Sequence, residues 1–591
     1  MRSTVYVLGC LIAGAVSAQQ AADAVDPEAA GAGAFAGFPE EVAASLDAKA
    51  AGVPVVSDNW MVSAANPHAV KAGADVLSAG GTAADALVAV QAMLGLVEPQ
   101  SSGLGGGAFL VWYDAASGHV TTLDGRETAP LAATPRLFQT NEGEPMGFFD
   151  AVVGGRSVGT PGTPALMAEV HARWGNQDWA SLLQPAITLA QDGFSVSPRL
   201  AGLVERDQER LASSDVTAGY FLPDGVPVQA GDRLVNAPYA ATLRALADRG
   251  TVAFYTGEIG ASIVATVQGA ENAGVLSQTD LAIYSVKERE AVCARYRGHD
   301  VCGMGPPSSG AVAVGQILGL LEGYDLSAGP QDVEVRRLMG DAARLTFADR
   351  GRYLADSDYV PVPVQGLLDP AYLAERAKLL AGDDALPEVS PGDPAFDHAL
   401  HWADDVSLEL PSTSHISIVD AAGNVASMTT TIENGFGSRL MVGGFLLNNE
   451  LTDFSFRSHR DGVPIANRLE PGKRPRSSMS PTIVLKDGKP VLAVGSPGGS
   501  RIIGYTAQAI IAYLDWGMNV QAAVSAPHAV NRFGKYDLEE GTAAAELEGG
   551  LSEMGFEVGT RALTSGLHMI AIGEELRGGA DPRREGIALG G

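Results

Sequence analysis

The segment Pro411-Ser412-Thr413-Ser414-His415-Ile416-Ser417-Ile418-Val419-Asp420 carries a polar cluster straight into period-two alternation. His415, Ser417 and Val419 fall on one side, Ile416 and Ile418 on the other. Small turn residues follow at Ala421-Ala422-Gly423-Asn424, then a second run from Val425 to Ile432. Alternation broken by a Gly-Asn turn predicts a β-hairpin. Taken alone, this is a polar loop entering an ordinary hairpin.

Working outward, Thr482–Leu485 and Val491–Val494 read as strands around a Lys486-Asp487-Gly488-Lys489 turn, and Ile502–Leu514 and Val520–Ala526 as helices. Upstream, Phe109–Tyr113 and Val120–Leu123 read as paired strands. Thr82 is placed to cap a helix from Ala83 to Met93 and Leu94 that is apolar nearly all round, hence buried. Helical signals dominate from Pro164 to Pro330, with Leu166–Trp174 and Val312–Leu321 the clearest, and another helix is expected over Val333–Leu345. Two sheets of hairpins covered by helices make a four-layer αββα sandwich, an α/β fold. Residues 19 to about 50 are rich in Ala, Gly and Glu and are expected to be flexible, with order beginning near Val55. Residues 383–412 are acidic, carry Pro387, Pro391, Pro394 and Pro411, and read as one long irregular segment, which is usually functional or disordered.

The chain has 591 residues, 46% hydrophobic and 18% charged, which fits a globular protein. Its net charge of −29 argues against nucleic acid and anionic membrane as partners. Arg2, an apolar run from Thr4 to Val16 and Val16-Ser17-Ala18 before Gln19 read as a signal peptide over residues 1–18, too short to span a bilayer. An exported protein, periplasmic or secreted, is expected. Cys293 and Cys302 then remain, opposed across a predicted hairpin. A disulfide is expected there, the alternative being two unrelated buried thiols. No Cys/His spacing fits zinc. Gly103–Gly107 lacks a nucleotide-loop ending, so tight backbone packing is expected of it.

Several further motifs keep order and spacing with the hairpin. They are Glu98-Pro99-Gln100-Ser101-Ser102-Gly103-Leu104-Gly105-Gly106-Gly107, Leu123-Asp124-Gly125-Arg126-Glu127-Thr128-Ala129-Pro130, Leu446 to Phe454, Lys473 to Thr482, and Gly495 to Arg501. Together they resemble the gamma-glutamyltransferases, N-terminal-nucleophile hydrolases, over nearly the whole chain after the leader. The resemblance implies self-cleavage between Ser412 and Thr413 into a large fragment, 19–412, and a small one, 413–591, which stay together as a heterodimer. It implies a small γ-glutamyl substrate, water or an amino acid or peptide as acceptor, and no cofactor or metal. It makes Thr413 the nucleophile, steadied by Thr431, with Gly498 and Gly499 as the oxyanion hole. Arg126, Ser477 and Ser478 would hold the α-carboxylate; Glu450 and Asp453 would hold the α-ammonium.

The chain departs from that pattern at Glu433, where many members have Asn. Glu433, Glu450 and Asp453 around one ammonium should raise at least one carboxyl pKa. The Ser455–Pro475 lid region has no Tyr and is short, which predicts an open site favouring water. A cephalosporin (glutaryl) acylase-like amidase is the alternative activity.

Overall fold

The computed structural model describes residues 37–591 apart from Ala399, Val406 and Leu408; the expected leader lies outside the described residues. The hairpin forms as Ser414–Val419 against Val425–Thr431, with Ser414 opposite Thr430 and Val419 opposite Val425. It lies in the interior of a seven-stranded antiparallel sheet. Met61–Ala64 pairs with its first strand and Gly107–Asp114 with its second, and Ile587–Gly590, His119–Gly125 and Lys287–Glu290 complete the sheet. A second seven-stranded sheet runs in the order Val55–Ser57, Leu576–Ala580, His568–Ile572, Lys489–Gly495, Thr482–Lys486, His299–Gly303, Val292–Tyr296.

The inner faces meet through Val111, Val419 and Val425 from the first sheet and Ile483, Ala493 and Ile570 from the second. On the outer face of the first, Ile416 and Ile418 pack with Leu87, Val90 and Leu94 of the helix Ala83–Val97. On the outer face of the second, Val484, Val494 and Met569 pack with the helices Gly310–Leu321, Val333–Tyr353 and Ile502–Leu514. These are the four layers of an αββα sandwich.

The alternation at 414–419 therefore separates two buried faces, and its polar members need partners inside the protein. His415 Nδ1 lies 2.9 Å from Thr429 Oγ1 and Nε2 3.1 Å from Ser417 Oγ, while Ser417 Oγ donates to the His568 carbonyl at 3.2 Å. Burial holds the His415 pKa well below the usual imidazole value, so the ring is neutral. The Thr82 cap is a full capping box with Asp85. The 103–107 run packs tightly: a Cβ on Gly106 would lie 1.9 Å from the Thr431 carbonyl oxygen.

Two expectations need correction. Order begins before Val55, with the helix Glu40–Ala50. Its Ser45 Oγ donates to the Ala588 carbonyl and its Lys49 ammonium to the Arg584 and Gly586 carbonyls, so tertiary contacts fix a segment whose composition alone reads as flexible. The helix expected to stop at Leu345 continues to Tyr353. Cys293 and Cys302 are directly paired in the strand register and bonded, with Cα atoms 4.0 Å apart. Residues 383–412 form no helix or strand among those described.

Candidate active site

The hairpin register that sets Ser414 opposite Thr430 brings Thr413 beside Thr431 at the same end of the two strands. Thr413 Oγ1 donates to Thr431 Oγ1 at 3.0 Å, and Thr431 Oγ1 accepts the Glu433 backbone N–H at 2.9 Å. The Thr413 carbonyl accepts from Arg584 Nη1 at 2.9 Å, and Ser412 Oγ donates to the Gln100 carbonyl at 2.9 Å. Thr413 has φ of 108°, a region that β-branched residues avoid because of steric clash. The strain sits at the junction of residues 412 and 413.

Past the strand Lys489–Gly495, Gly498 and Gly499 take φ of 137° and 56°. A Cβ on Gly499 would come within 2.6 Å of the Glu409 carbonyl oxygen, so the absence of a side chain lets residues 409–410 lie against this turn. Arg126, Glu433, Glu450, Asp453, Ser477 and Ser478 line one cavity with Thr413, Thr431 and Gly499, and Gly498 adjoins it. Only about 20 Å³ is free, room for roughly one water, because Glu409 and Leu410 also line it.

The electrostatics on the Arg126 side are crowded. Arg126 pairs with Glu450 and, at 2.5 Å, with Asp453, and donates to the Pro475 and Arg476 carbonyls at 3.2 and 2.9 Å. Burial works against its charge, but Glu450 and Asp453 outweigh it and the guanidinium stays protonated. Glu433 accepts from the Leu410 N–H at 3.2 Å and from the Asn449 amide. Burial pushes its carboxyl up to about 7. Burial also raises Glu450 and Asp453 well above the carboxylate range, with Glu433 adding to both by like-charge repulsion.

On the opposite side, Ser477 Oγ accepts the Met479 N–H at 3.1 Å and Ser478 Oγ accepts from Arg350 Nη2 at 2.8 Å. The sequence reading missed Arg350, Glu409, Arg476 and Arg584. Arg476 lies inside the Lys473–Thr482 motif and was legible there. Arg350 sits mid-helix, in Ala348-Asp349-Arg350, with no local signal.

The family described as gamma-glutamyltranspeptidase matches residues 69–591. A glutathione hydrolase proenzyme of Bacillus subtilis (strain 168) is 38% identical over 552 residues, covering 90% of this chain and 92% of that one. The acylase ACY 1 proenzyme of Pseudomonas sp. (strain SE83) is 35% identical over 551 residues, 91% and 95% of the two chains. Among solved structures, a cephalosporin acylase from Bacillus halodurans aligns with a TM-score of 0.80 at 28% identity, covering 91% of this chain and 97% of that one. With the match running from residue 69 to the last residue, and its motifs converging on one cavity beside the hairpin, the chain belongs to the gamma-glutamyltranspeptidase family.

Proposed function

We propose that this chain is an exported γ-glutamyl hydrolase and transferase that first cuts itself between Ser412 and Thr413. The observation that carries the reading is the 3.0 Å Thr413–Thr431 hydroxyl contact at a strained junction, beside a cavity filled by the residues just upstream. Thr413 Oγ attacks the Ser412 carbonyl carbon, the C–N bond breaks, and the freed amine takes the proton. Water then hydrolyses the ester to leave a Ser412 carboxylate and a new N-terminal Thr413. Residues 1–18 are removed on export, and the 19–412 and 413–591 fragments remain one heterodimer.

The freed α-amine, with a pKa of about 8, is then the base for the threonine hydroxyl. Thr413 Oγ attacks the γ-amide carbonyl and its proton passes to the amine. The Gly498 and Gly499 N–H groups hold the oxyanion, one such donor being worth about 3–4 kcal/mol. The leaving amine takes the proton, and water or an amino-acid amine cleaves the γ-glutamyl ester. Arg126, Ser477 and Ser478 orient the donor's carboxylate, and Glu433, Glu450 and Asp453 its ammonium.

Acylase relatives favour a second reading, a glutaryl-type amidase. A glutaryl group has no ammonium to bring back the ionised forms of the three acids, whereas the ammonium of a γ-glutamyl group does, so the acids favour γ-glutamyl. The test is p-nitroaniline release from γ-glutamyl-p-nitroanilide and from its glutaryl counterpart, with and without glycylglycine. Faster γ-glutamyl release supports the proposal, and stimulation by the dipeptide establishes transfer. Release from the glutaryl compound alone overturns it. A Thr413→Ala chain should run as one band on a denaturing gel; two bands would move the cut elsewhere.

A further inference from the structure

Arg584 reaches Thr413 across a place where the first sheet has lost a strand. Met61–Ala64 lies between Ile587–Gly590 and Ser414–Val419, and Ala64 is paired with Ile587 on one side and with Ile416 on the other. Beyond Ala64 the chain leaves the sheet, with Asn66 capping the helix Pro67–Ser78. Arg584 and Thr413 each stand three residues before those two isoleucines, so they share one level of the sheet, where Met61–Ala64 no longer runs between them. The gap is two strand spacings, about 9–10 Å. The Arg584 side chain crosses it, and Nη1 donates to the Thr413 carbonyl at 2.9 Å.

Both ends of this crossing are anchored. The Arg584 carbonyl accepts from Lys49 Nζ at 2.7 Å, and its backbone N–H donates to the Asp581 carbonyl at 3.3 Å. A Cβ on Gly566 would lie 2.9 Å from Arg584 Cδ and 2.6 Å from Pro497 Cγ, so the bare glycine leaves the arginine stem its room beside the turn that carries Gly498 and Gly499. On the other side of the 412–413 peptide, Ser412 Oγ donates to the Gln100 carbonyl at 2.9 Å, and the Gln100 amide donates to Glu98 at 2.8 Å. The Thr413 φ of 108° is the torsion between these two anchors. A chain held on one side only would relax it by swinging the other.

We infer that Arg584 is a positioning residue for self-cleavage: by fixing the Thr413 carbonyl across the gap, it keeps the 412–413 junction strained until the bond is cut. The bond from the Ser412 carbonyl carbon to the Thr413 nitrogen is the one that breaks. The acyl group passes from nitrogen to Oγ and the Oγ proton to nitrogen, and φ is then free of its acyl arm. The inference rests on the proposed cut. Length matters here as much as charge. A shorter donor does not cross two strand spacings, and a lysine reaches with a single ammonium in place of the planar fork.

Cell-free translation of the full chain, chased and resolved on a denaturing gel, gives the first-order rate at which the fragments appear. Arg584→Gln should slow it about 10–100-fold, the range that backbone strain of this kind supplies. Arg584→Lys should recover most of that loss. Each change is also placed in the uncut Thr413→Ala chain, where the Gln and Lys variants should melt at similar temperatures. Cleavage of Arg584→Gln at the unsubstituted rate overturns the inference. Equal slowing by Gln and Lys does the same, since it marks a merely structural arginine. If Gln abolishes the cooperative melt, Arg584→Met, which keeps an unbranched stem and lacks a donor, replaces it in the same comparison. An unsubstituted chain that yields no new N-terminus at Thr413 on Edman sequencing overturns the proposed cut and the inference with it. That result is distinct from a normal cut that ignores residue 584, which overturns the inference alone.

Discussion

Glu433 ties the Thr413–Thr431 pair to the segment upstream of residue 413. Its backbone N–H donates to Thr431 Oγ1, which also accepts from Thr413, and its side chain accepts from Leu410 and Asn449, so it touches the threonine pair and the upstream segment together. Burial raises its carboxyl from 4.5 to about 7, so the folded chain keeps a proton that the unfolded chain has released. Its contribution to stability is therefore largest below the unfolded pKa. It declines as pH rises toward about 7, at no more than about 1.4 kcal/mol per pH unit, and is flat above. In an uncut Thr413→Ala background, Glu433→Gln should raise Tm more near pH 7.5 than near pH 5; equal shifts at the two pH values would refute the shifted carboxyl. Thr413, Thr431 and the glycine pair were legible because motif order survives in sequence. Arg350 and Glu409 were not, because their meaning lies in a pairing across 59 residues that no local pattern encodes.

At the scale of elements, the central hairpin depends on close backbone approach. A Cβ on Gly106 would meet the Thr431 carbonyl oxygen at 1.9 Å, a backbone atom that can yield only by shifting the strand. Gly106→Ala should cost about 1–3 kcal/mol, as overpacking does, and slow the proposed self-cleavage by moving Thr431. Gly202, inside the helix Pro198–Leu211, has nothing within 4 Å of the same added atom. Gly202→Ala should stabilise by about 0.4–1 kcal/mol by removing unfolded-state freedom. Thermal melts of the two variants check both signs, and a stabilising Gly106→Ala would sink the packing argument. Period-two alternation located the hairpin, yet it could not tell a sheet with one wet face from one buried on both. His415 and Ser417 look solvent-facing in sequence and are in fact bonded between the sheets. The helix Glu40–Ala50 was illegible for a related reason: it buries only Val42 and Ser45, and its docking comes from hydrogen bonds to residues more than 500 positions away.

Over the whole molecule, the helix Glu40–Ala50, the segment just before the strand Ile587–Gly590 and Thr413 form one chain of contacts. Lys49 holds the Arg584 and Gly586 carbonyls, and Arg584 holds the Thr413 carbonyl. Burial lowers the Lys49 ammonium to about 8. Lys49→Met would leave two carbonyls without their donor, at about 1–3 kcal/mol each, and should lower Tm and slow cleavage together. A normal cleavage rate with a lowered Tm would show that the helix serves stability alone. The two sheets interleave strands from either side of residue 413: Met61–Ala64 lies between Ile587–Gly590 and Ser414–Val419. Before the proposed cut, unfolding and refolding concern one molecule and do not depend on concentration. Afterwards the same fold can be regained only by collision of two chains, neither of which carries a complete sheet. The proposed cleavage would thus change the molecularity of refolding: the uncut chain can recover from a melt at any dilution, and a processed enzyme would have its folding behind it.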